Sequence, residues 1–81
     1  MIKQITYNPS IKREGGILES WMIVPLVSDD SVVIGRVFGD PVWPSGVAIR
    51  TSIVQKIEGN KLYTLNTVYR LGNNFKANYT K

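Results

Sequence analysis

The sequence predicts a small all-β domain, either barrel-like or folded as a two-layer antiparallel sheet of five to six short strands. Three observations carry this expectation. Short apolar and β-branched runs recur along the chain, with turn residues at roughly ten-residue spacing. No stretch repeats its apolar residues with the 3.6-residue period of a helix, and there is no internal repeat or low-complexity segment. From Val47 onward, apolar and polar residues alternate as they do in a half-buried strand.

Taken in order, residues 2–7 read as a first strand on a sheet edge, closed by the turn signal Asn8-Pro9-Ser10. Residues 8–16 read as a loop, with Lys12-Arg13-Glu14-Gly15-Gly16 as a solvated segment. Residues 17–26 form the second strand. From Trp21 to Val24 both parities are apolar, so one face meets the core and the other meets a second layer or another subunit. Ser28-Asp29-Asp30-Ser31 is a turn of short polar residues that bond their own backbone. The third strand, residues 32–38, places Arg36 among Val32, Ile34 and Phe38, either at the rim of the core or toward a ligand or subunit.

The stretch from Phe38 to Ser52 breaks the pattern. Gly39, Pro41, Trp43, Pro44 and Gly46 fix some φ angles and release others, which describes an ordered loop. Residues 47–58 then alternate, with Val47, Ile49, Thr51, Ile53 and Ile57 on the core face and Ala48, Arg50, Ser52, Val54, Lys56 and Glu58 opposite. Gly59-Asn60 is a two-residue hairpin turn that pairs Glu58 with Lys61, Ile57 with Leu62 and Lys56 with Tyr63. A second turn at Asn66-Thr67 would pair Leu65 with Val68 and Tyr63 with Arg70, setting Lys56, Tyr63 and Arg70 side by side, with Arg50 on the same face by parity. Residues 72–81 are either a closing strand or a loose end. Five or six such strands are the architecture of SH3-like and OB-like modules.

Eighty-one residues make one domain with a small core, for which self-association would be a source of stability, so a homo-oligomer is expected. The chain has no cysteine and no histidine, which excludes disulfides, thiolate or imidazole metal sites and the commonest general base. Asp29, Asp30 and Asp40 read as turn residues, so no metal site and no cofactor are expected. The acids show no paired spacing that would serve proton transfer, and catalysis is not expected. Neither an N-terminal apolar leader nor a membrane-spanning run is present, so the expected compartment is cytoplasmic, with no membrane partner. A net charge of +4 favours anionic partners.

Two constellations suit such a partner. Lys56, Tyr63 and Arg70 would form a cation, aromatic, cation row that stacks a base and neutralises the adjacent phosphate. Trp43 would stack a ligand from the loop, beside Arg50 for charge and Thr51 and Ser52 for hydroxyl hydrogen bonds. Each has a plainer reading: a solvated sheet face for the first, and for the second a tryptophan folded back as a lid on the core. Trp21, Met22, Val54, Leu65 and Val68 would instead make an apolar patch for a protein partner.

The motif Gly39-Asp40-Pro41-Val42-Trp43-Pro44-Ser45-Gly46 with Ile49-Arg50-Thr51-Ser52, and the later Thr67-Val68-Tyr69-Arg70-Leu71-Gly72, resembles small uncharacterised proteins encoded by bacteriophages and prophages. The resemblance covers roughly the second half of the chain. It implies a compact accessory protein of the host cytoplasm, acting stoichiometrically as an anti-defence factor. Such a protein would sequester a nucleotide signal or nucleic acid, or block a host protein.

Overall fold

The β-branched and aromatic runs form six strands in a computed structural model that describes residues 12–75. They are β1 (Arg13–Pro25), β2 (Ser31–Phe38), β3 (Val47–Arg50), β4 (Val54–Glu58), β5 (Lys61–Thr64) and β6 (Thr67–Leu71). The strand expected at residues 2–7, the loop residues 8–11 and the tail beyond residue 75 lie outside the described residues. The all-β class agrees with the sequence reading, and six strands fall among the described residues.

The strands lie in one sheet in the order β3-β2-β1-β6-β5-β4. Each half is an antiparallel three-strand meander, and the two halves meet along β1 and β6, which run parallel. The sheet is therefore mixed rather than wholly antiparallel. It curls until β4 approaches β2, so that the two halves act as two layers around a single core. Leu18 of β1, Val33 and Val37 of β2, Ile49 of β3, Leu62 of β5 and Tyr69 of β6 fill that core, with Trp21, Val54 and Leu71 packed around them. Enclosing each Leu or Val side chain stabilises the fold by about 1.5–3 kcal/mol.

β1 begins at Arg13, four residues earlier than the strand expected from residue 17. The segment expected to be loop is strand because Arg13 and Glu14 pair with Thr67 and Val68, and the Arg13 N–H donates to the Asn66 carbonyl at 3.1 Å. Gly15 and Gly16 permit this: a Cβ on Gly15 would lie 2.6 Å from the Tyr69 ring, and one on Gly16 would collide with the Phe38 carbonyl. One extra β1 residue is accommodated there, and another at Ser20, whose φ of 52° bends the strand opposite Gly35.

The single strand expected over residues 47–58 is two strands. After Arg50 the chain leaves β2, and residues 51–53 cross from one edge of the sheet to the other. Thr51 makes the break. Its N–H donates to the Val33 carbonyl at 2.9 Å, its Oγ1 accepts the Val33 N–H at 3.0 Å, and its hydroxyl donates to the Ser52 carbonyl at 2.8 Å. The expected inward set holds for Ile49 and Thr51, while Val47 and Ile57 are exposed and Val54, assigned outward, packs on the core.

The Gly59-Asn60 hairpin has the expected register, with Gly59 at φ 61°. The next turn is Leu65-Asn66, not Asn66-Thr67, so Tyr63 faces Val68 and Arg70 faces Lys61. Thr64 and Thr67 enforce this closure. The Thr64 hydroxyl donates to the Thr67 carbonyl at 2.8 Å and accepts the Thr67 N–H at 3.2 Å, all within the core. No helix among the described residues is long and apolar enough to cross a membrane.

Candidate anion-binding cleft

Asp40 shapes the proline-rich loop between β2 and β3. Its side chain is 0% exposed. One carboxylate oxygen accepts the N–H groups of Val42 at 2.8 Å and Trp43 at 3.3 Å, the local turn expected before a proline. It also accepts Arg13 Nη1 at 2.9 Å, and the second oxygen accepts the Gly16 N–H at 2.9 Å. Burial alone would raise the carboxyl pKa, but these bonds outweigh it and hold the group below its ordinary range. The Gly39 N–H donates to Ser45 Oγ at 3.0 Å and Arg36 Nη1 donates to the Gly46 carbonyl at 2.8 Å. Arg36 thus serves as a loop anchor, and the loop is fixed at both ends.

The fixed loop becomes one wall of an open cleft of about 530 Å³. Val42 and Trp43 contribute from the loop, with Trp43 42% exposed, and Arg13 stands beside them. Arg50, Thr51 and Ser52 line the opposite part, while Asn66, Thr67 and Tyr69 come from the β5–β6 turn and β6. The cleft thus draws on both halves of the sheet.

Its polar groups are not equivalent. Arg13 is neutralised by Asp40, whereas Arg50 is exposed and has neither an ion pair nor a hydrogen bond for its guanidinium among the described residues. Thr51 is 4% exposed and its hydroxyl is committed to the backbone, so Thr51 shapes the cleft instead of offering a free donor. Ser52 Oγ and Thr67 Oγ1 both donate to Asn66 Oδ1, each at 3.2 Å. That fixes the Asn66 carboxamide and leaves its amide as a donor beside Arg50 in the cleft lining.

Of the seven residues singled out in the sequence, Trp43, Arg50, Thr51 and Ser52 meet here. Lys56, Tyr63 and Arg70 do not line this cleft; they lie on the face of β4, β5 and β6 opposite the core residues Leu62 and Tyr69. Lys56 Nζ sits 4.9 Å from the Tyr63 ring centroid and 3.4 Å from Glu58, and Arg70 stands across from Lys61 instead of beside Tyr63. Arg50 is not on this face, because the crossing at residues 51–53 moves it to the opposite edge of the sheet.

The apolar set also divides. Trp21 and Val54 pack on the core, with Trp21 Nε1 donating to the Gly72 carbonyl at 3.0 Å, while Met22 and Leu65 are exposed. Arg13, Val42, Asn66, Thr67 and Tyr69 were not singled out by the sequence. The only local hint was Gly15-Gly16, which marks a close approach of backbone to Tyr69 and Phe38.

The described residues define a small all-β protein with a donor-rich cleft under a fixed loop. Comparison with known protein families, curated proteins and solved structures finds no match for the chain.

Proposed function

We propose that this chain is a non-enzymatic binding protein that takes a small anionic ligand of nucleotide type in the cleft beneath the proline-rich loop. One observation carries the reading: an exposed arginine, Arg50, unpartnered among the described residues, shares an open cleft with the half-exposed Trp43. A guanidinium free of any protein carboxylate is suited to a phosphate, and an indole offers a face to a base. The fixed Asn66 amide adds a neutral donor, and Arg13 adds further donors even though its charge is balanced by Asp40. The cleft volume lies within the range of small-molecule sites. In this reading the protein is a bacteriophage-type accessory factor in the host cytoplasm, and it sequesters a nucleotide signal stoichiometrically.

A second reading is supported by a different face. Ile17 pairs with Phe38 and Met22 with Ile34 across β1 and β2, and all four side chains are exposed. Such a surface suits a protein partner, either a host protein or a second copy of the chain.

Native mass spectrometry of gently purified protein, followed by titration with nucleoside mono-, di- and triphosphates and with the parent nucleosides, tests the first reading. Binding of a phosphorylated form that weakens steeply with salt and is lost in Arg50→Ala supports it. Absence of both a co-purified nucleotide mass and any titratable nucleotide binding overturns it.

A further inference from the structure

The outer face of β4, β5 and β6 carries a charge arrangement that the cleft does not explain. Lys61 and Arg70 stand directly opposite one another in the β5–β6 pair. Like charges so placed destabilise an antiparallel sheet. Neither has an ion pair or side-chain hydrogen bond among the described residues. Glu58 is across from Lys61, yet its carboxylate pairs with Lys56. Glu14 lines a crevice shared with Lys61 and Arg70 without forming an ion pair to either. The two cations are therefore exposed and without an ion pair among the described residues, and with Lys56 they outnumber the nearby acids Glu14 and Glu58 by three to two. One row along the same face, Lys56 covers the ring of Tyr63.

We infer that this face is a second binding surface, separate from the cleft, that docks single-stranded nucleic acid. Lys61 and Arg70 would take adjacent phosphates, and a counter-anion there removes the repulsion between them. A base stacked on Tyr63 would displace the Lys56 ammonium from the ring, freeing it for a third phosphate. Charge complementarity selects a polyanion, and the aromatic ring between cations selects one with unpaired bases over a duplex or an anionic membrane. The surface reads no base edge, so it discriminates little among sequences.

The test is fluorescence anisotropy of a labelled oligothymidylate against the full chain over a range of salt concentrations. Three phosphate contacts on a single strand give a slope of log K against log salt of about −2. Arg70→Glu is expected to abolish this binding while leaving the thermal midpoint unchanged or raised, because an acid then faces Lys61. Tyr63→Ser is expected to weaken binding about tenfold or more, the loss of one stacked base. Arg50→Ala, which alters only the cleft, is expected to leave oligonucleotide affinity intact. No binding at low salt, equal binding by the folded Arg70→Glu variant, or loss of binding in Arg50→Ala would each overturn the inference. So would tighter binding of duplex DNA or of phosphatidylserine vesicles than of the oligonucleotide. Nucleotide binding in the cleft can fail while this surface persists, and the reverse, so the two readings are separable.

Discussion

Arg13 and Asp40, 27 residues apart, are joined by a 2.9 Å ion pair whose acidic side chain is fully enclosed and whose basic partner lines the cleft. The bond ties the start of β1 to the proline-rich loop, and with the Gly16 N–H it holds the loop against the sheet.

Asp40→Asn removes the charge that Arg13 and the backbone donors were arranged to meet. Arg13 remains about one third exposed, which limits the penalty of leaving it unpaired. The expected loss is about 1–3 kcal/mol, read from urea unfolding at neutral pH. Because the folded-state pKa lies below the ordinary value of 3.8, this contribution is fully present above that value. It is lost as pH falls from there through the folded-state pKa. Wild type should therefore lose stability over that interval more steeply than Asp40→Asn, and parallel pH profiles would refute the assignment.

Thr51→Val leaves the buried Val33 N–H without its side-chain acceptor and should cost about 1–3 kcal/mol. Thr51→Ser keeps the oxygen and should retain most of the stability. Since this hydroxyl is occupied by the fold, nucleotide affinity should be the same in Thr51→Ser as in wild type. A specific loss of affinity in that variant would return Thr51 to the ligand.

Gly15→Ala forces a methyl group to within 2.6 Å of the Tyr69 ring and 2.8 Å of the Thr67 methyl. The expected cost is about 1–3 kcal/mol. Gly16→Ala should cost at least as much, because its obstacle is the Phe38 backbone carbonyl, which cannot rotate aside. Calorimetric midpoints equal to wild type for either variant would show that β1 does not approach its neighbours this closely.

Arg50→Ala should lower nucleotide affinity tenfold or more, the worth of about 1.5–3 kcal/mol for hydrogen bonds to a charged group. Stability should stay within about 0.5 kcal/mol of wild type, because the side chain removed is exposed and has no partner among the described residues. Paired isothermal titration and thermal melts check both halves. Undiminished affinity would take Arg50 out of the site.

The parts of this structure that could be read in the sequence are those decided by neighbours along the chain. Gly59-Asn60 set both a turn and its register, since glycine tolerates the positive φ and the flanking residues match in charge and polarity. The convergence of Trp43 with Arg50 and Ser52 was legible because a short, stiff loop separates them. The Leu65-Asn66 turn was missed by two positions of register, because the buried Thr64 hydroxyl, bonded to both backbone groups of Thr67, outweighed the preference for asparagine at the first turn position. The parallel pairing of β1 with β6 left one local mark, the Gly15-Gly16 pair, and no signal of which strand it approaches. With it went Arg13, Asn66 and Tyr69, which reach the cleft only through contacts between distant segments.

That parallel seam also holds the contacts of longest sequence separation in the sheet. The β1-β2-β3 and β4-β5-β6 meanders each close through short loops, whereas joining β1 to β6 must bring together residues more than fifty positions apart, such as Arg13 and Thr67. Contacts of such separation cost more loop-closure entropy than the local ones and slow folding. The cleft straddles the seam, so neither meander owns a complete site. The cleft is therefore complete only where the two meanders are joined, and a ligand bound there would act as a clasp that favours the joined state.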